Sequence, residues 1–135
     1  MELKTRIIIE ILGSPKEHVE ETIQKVMEEF RKRDVEILEE HIDKVKEVEQ
    51  FFSTFAEIVF RSKSLKQFND ICFDFMPSVV EVLEPLDMKF DSKTYEDFMN
   101  DLLARLHKHG MIMRNLHAEN VYLKQQSEGK PEKKN

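Results

Sequence analysis

Three glycines and four prolines are the chain's whole supply of turn-favouring backbone across 135 residues. So few confine it to long elements joined by short connections. At this length one domain with a real core is expected, and two comfortable ones are not. The spacing of apolar residues then says which elements those are.

Residues 5–12 (TRIIIEIL) are rich in β-branched side chains and predict a strand. In the stretch that follows, Ser14 stands where a helix N-cap would, Pro15 suits the first helical position and Glu17 falls at the capping-box position. Val19, Ile23, Val26, Met27 and Phe30 recur at spacings of three and four, the buried face of a helix. Arg31, Lys32 and Arg33 suit the negative end of its dipole. Beyond them Val35 and Ile37 alternate with charges, whereas Ile42, Val45 and Val48 have helical spacing. We read this segment as a strand that runs long or turns near Asp43.

Residues 51–60 (FFSTFAEIVF) predict a third strand, aromatic and β-branched throughout. Ser64 and Gln67 form a second capping box, opening a helix that buries Leu65, Phe68, Ile71, Cys72 and Phe75 and ends at Pro77. Residues 79–83 predict a fourth strand stopped by Pro85, and alternation of Leu86, Met88 and Phe90 suggests an extension or a short fifth. Asp91 and Ser92 start a helical stretch that reaches about Gln125.

This order predicts an α+β fold of the ferredoxin-like (βαββαβ) kind. Its antiparallel sheet carries two helices on one face, and a C-terminal helix or helix pair is appended. Residues 1–90 form the ferredoxin-like domain on this reading. Residues 91–125 form a helical extension that packs on the sheet or pairs between subunits, and 126–135 a flexible polar tail. Phe51 and Phe55 point to one face of the sheet and Phe52 and Ile58 to the other, so both faces are expected to be buried.

From Tyr95, alternating steps of four and three give Tyr95, Met99, Leu102, Leu106, His109, Met113, Leu116, Asn120 and Leu123. That is a heptad seam, with Met99, Leu106, Met113 and Asn120 at one class of core position and the others at the second. A single Asn at the first class is a register-fixing device, and Glu119 and Lys124 flank the seam where parallel helices could pair. Gly110 interrupts it at a helix-propensity cost of about 1 kcal/mol relative to Ala. His107-Lys108-His109-Gly110 also has the form of a helix C-terminus, which would make two helices meeting there.

The remaining candidates are weaker. His107 and His109 lie on different sides of a helix, and His109 with Met113 makes an incomplete ligand set, so no metal is expected. Cys72 has Phe68, Ile71 and Phe75 as helical neighbours and reads as a buried small hydrophobe between two aspartates. Adjacent carboxylates such as Glu20-Glu21 and Glu39-Glu40 read as surface charge. The turn at Gly13 and Ser14 is the one place where a small ligand or anion could meet a helix N-terminus. No phosphate-loop or dinucleotide pattern accompanies it, and no cofactor is expected.

Charge narrows the partners. With 27 acidic against 21 basic residues the net charge is −6, which argues against nucleic-acid backbones. Arg61, Lys63 and Lys66 are the local exception, and Phe55 the aromatic that a single-strand reader of this topology would need exposed. One cysteine excludes an internal disulfide and points to a reducing, cytoplasmic setting. No apolar run is long enough to span a bilayer.

In element order alone the chain resembles ACT-like regulatory modules, small ferredoxin-like domains that associate through sheets or helices and often bind ligands between subunits. The expectation is a non-catalytic interaction or regulatory module, a homodimer or higher homo-oligomer with a protein partner as the other option. It would associate through the C-terminal helix, the sheet face, or both. The alternatives are a ligand-binding or enzymatic domain with its site beside Gly13 and Ser14, and an RNA-binding module.

Overall fold

β-Branched and aromatic runs become strands and the three-four spacings become helices, in the order β1 (Leu3–Gly13), α1 (Lys16–Arg31), β2 (Glu36–Ile42), β3 (Lys46–Val48), β4 (Phe51–Ser62), α2 (Leu65–Phe75), β5 (Val79–Glu84) and α3 (Ser92–Lys133). The computed structural model describes residues 1–133. The chain divides into two units, Met1–Met88 and Lys89–Asn135.

The first unit is an α+β arrangement on an antiparallel sheet of order β2-β4-β1-β5, with β3 also paired to β4. β1 and β4 form the central ladder, from Leu3 opposite Ser62 to Gly13 opposite Phe52. β5 lies antiparallel along the other edge of β1, with Ile7 opposite Val80.

The period-two pattern decides what is buried. Leu3, Thr5, Ile7 and Ile9 of β1 and Ala56, Ile58 and Phe60 of β4 share one face, and each is at most 3% exposed. Against it α1 lays Val19, Ile23, Met27 and Phe30, and α2 adds Phe68 and Ile71. Phe30 sits at the centre, its ring 5.1 Å from both Phe60 and Phe75 in edge-to-face geometry. Each such large side chain contributes roughly 1.5–3 kcal/mol by leaving water.

Local chemistry sets the helix ends. The Ser64 hydroxyl accepts from the Gln67 N–H, while Gln67 accepts from the Lys63 N–H and donates to the Asp34 carbonyl. The expected cap is therefore present, with its return bond one residue earlier than in a regular capping box. α2 ends on Met76 in the left-handed conformation (φ 50°), whose N–H donates to the Cys72 carbonyl.

Several expectations need revision. Ser14 does not cap α1: Pro15 is the N-cap residue, and no side chain caps that end. The strand expected to run long or turn near Asp43 does both. β2 and β3 pair with the same edge of β4, interrupted at residues 43–45, where the Asp43 N–H donates to the Phe55 carbonyl and the Asp43 carbonyl accepts from Thr54. Residues 86–90 form no strand; the fifth strand is β3.

Burial of the face opposite the helices is uneven: it carries Arg6, Glu57 and Glu81 in a cross-strand ion-paired row, with Val59 6% exposed and Phe51 47% exposed.

Candidate functional site

Among its described residues the second unit holds one helix, α3. At its start the Asp91 carboxylate accepts from the N–H and hydroxyl of Thr94, which holds that carboxyl below its ordinary range. α3 then runs 42 residues, about 63 Å at 1.5 Å per residue. It passes through Gly110 without a break, so the two-helix alternative is not what the chain adopts. It also continues beyond Gln125 to Lys133, where a flexible tail from 126 was expected; residues 134 and 135 lie outside the described residues. Glu, Gln and Lys, read as tail composition, are also good helix formers.

The heptad residues lie along this helix in an exposed stripe. Tyr95, Leu106, Met113, Leu116 and Leu123 are each more than half exposed, His109 and Asn120 are exposed, and Met99 and Leu102 are half-buried. Leu103 and Ile112 widen the apolar face as exposed neighbours. On the C-terminal half Met113, Leu116, His117, Glu119, Asn120 and Leu123 line a shallow surface depression. Intrahelical ion pairs, Lys93 to Asp97 at 3.1 Å and Arg105 to Asp101 at 3.2 Å, support the first half.

Elsewhere the structure uses the weaker candidates for folding. Gly13 belongs to the β1–β4 ladder, and a Cβ there would meet Val19 Cγ2 at an ordinary 3.6 Å, so nothing at that turn requires glycine. Ser14 is exposed.

The basic residues from the end of β4 to the first turn of α2 are engaged by carboxylates: Lys63 by Asp34, Lys66 by Asp70, and Arg61 by Glu2, Glu36 and Glu84. Phe55 is half-buried with its ring 6.3 Å from that of His41. Burial pushes the Cys72 thiol up to about 11, opposite to what a nucleophile needs. Among the described residues no group of three or more His, Cys, Asp or Glu is placed to hold a metal ion. None of the described helices is long and apolar enough to cross a membrane.

The ion-paired row of Arg6, Glu57 and Glu81 escaped sequence reasoning. Its members are 51 and 75 positions apart and meet only through the strand register. The signal was present as charges at alternating positions of strands otherwise apolar.

An antiparallel sheet backed by two helices, followed by a long helix with an exposed apolar stripe, defines the class: an α+β protein with a helical C-terminal extension. The chain belongs to the MJ0538 family, whose sequence pattern matches residues 4–134. That match spans both units, so the long helix is part of the family's own pattern. No curated protein and no solved structure matches the chain.

Proposed function

We propose that this protein is a non-catalytic, homo-oligomeric interaction or regulatory module that associates with itself through α3. The observation that carries the reading is the stripe from Tyr95 to Leu123, in which Tyr95, Leu106, Met113, Leu116 and Leu123 stand more than half exposed along one helix. Most helical stability in proteins comes from packing an apolar face, and an apolar stripe in water is most stable against another apolar surface. We assign the first unit to the ferredoxin-like arrangement, supported by its antiparallel order β2-β4-β1-β5. A binding role is favoured over catalysis because Gly13 of the candidate turn is absorbed into the β1–β4 ladder and the Cys72 thiol is held protonated. The lone, half-buried cysteine supports a reducing, cytoplasmic setting.

Sedimentation equilibrium at micromolar concentration tests the proposal. A dimer or higher oligomer that dissociates on Leu106→Glu and Leu116→Glu is expected. A monomer, or an assembly indifferent to both substitutions, would overturn it.

A further inference from the structure

Continuity of α3 through Gly110 makes the direction of pairing an answerable question, because one register can be followed along the whole seam. We infer that two copies of α3 pair antiparallel about a two-fold axis at residue 111; the inference rests on the self-association reading above. In this register Leu106 packs against the partner's Leu116, Met113 against the partner's His109 and Met99 against the partner's Leu123. Leu102 meets the partner's Asn120 towards the ends, where water reaches a polar side chain.

Charge complementarity selects this arrangement. Positions flanking a seam face their own class across an antiparallel pair. Glu96 then faces the partner's Lys124, and Arg105 faces the partner's Glu119, each pair made twice by symmetry. Ile112 meets the partner's Ile112 on one side of the axis. On the other side Gly110 meets the partner's Gly110.

A heptad slip in one direction sets Phe98 against the partner's Glu119. A slip in the other sets Ile112 there and Leu103 against the partner's Lys124. A parallel pair keeps only the contact of Glu119 with the partner's Lys124. It sets Asp91 against the partner's Glu96 and buries His109 against its own image.

Gly110 is a second, independent observation. Within the helix a Cβ at this position would meet only Arg114 Nη1, at an ordinary 3.5 Å. The helix itself therefore gives no reason for a residue that weakens it. Beside the axis, the absence of a side chain lets the two backbones approach.

Two measurements decide the matter. A spin label on Asn100→Cys in a Cys72→Ser background reads the distance between copies, since Asn100 is exposed and off the seam. Antiparallel pairing places the labels 22 residues apart along the axis, about 35 Å, whereas parallel pairing places them under about 20 Å. A dimer with the short distance overturns the antiparallel inference and leaves self-association standing. A monomer overturns both.

The second measurement is a charge exchange. Glu96→Lys and Lys124→Glu should each weaken dimerisation severalfold at low salt, and the double variant should restore it. Failure of the double variant to recover would overturn this register.

Discussion

The guanidinium of Arg6 lies 2.6 Å from the Glu57 carboxylate across the β1–β4 ladder. The same group reaches Glu81 of β5 at 2.6 Å, so one side chain clasps three strands. Arg6 holds the Glu57 carboxyl below its ordinary range, first through their hydrogen bond and then through its charge. A carboxyl lowered on folding contributes stability above the unfolded value of about 4.3, and loses it as pH falls through the folded value. Arg6→Met should therefore lower the thermal midpoint at pH 7, and the deficit should shrink as pH drops from about 4.5 to 3. Melting curves across that range check this; a deficit unchanged at pH 3 would rule it out.

Phe30 is fully buried between Phe60 and Phe75. Phe30→Ala removes the ring around which α1, β4 and α2 meet, and should cost about 3–5 kcal/mol in urea unfolding. Phe51→Ala, at a ring 47% exposed, should cost far less. Similar losses for the two would show that the core is misplaced.

Among the described residues, two that are not glycine occupy positive φ, Glu49 at 57° and Met76 at 50°. Met76 is 74% exposed, so its side chain adds little packing to offset the backbone cost. Met76→Gly should raise stability by roughly 1 kcal/mol, measured as a shift of the urea midpoint. Met76→Val should lower it.

The Cys72 thiol, pushed up to about 11 by burial, carries almost no thiolate at neutral pH. Maleimide should label the folded chain slowly at pH 7.5, and urea should accelerate labelling by orders of magnitude. Rapid labelling of the folded protein would contradict the burial of α2's inner face.

What could be read from the sequence depended on whether the determinant was local. The face of α1 at Val19, Ile23, Met27 and Phe30 follows from helical spacing, and the Ser64–Gln67 cap from a three-residue interval. The break between β2 and β3 rests on bonds from Asp43 to Phe55 and Thr54, both more than ten residues away. No glycine or proline marks it, and Glu49 makes the following turn at positive φ where glycine would be the usual sign. Ser14 failed as a cap because the residue after it, Pro15, takes the N-cap position itself. The helix of α3 was legible because its apolar spacing is a local pattern; its continuity at Gly110 depended on the geometry of the whole helix.

β2 forms one margin of the sheet, and Glu36, Glu39 and Glu40 stand along it exposed to solvent. The consequence is colloidal. Two molecules approaching margin to margin would bring like carboxylates face to face, which disfavours strand addition at neutral pH. Replacing the three glutamates with glutamine removes that guard. The margin then turns cohesive, and turbidity should rise at neutral pH while the fold itself is kept.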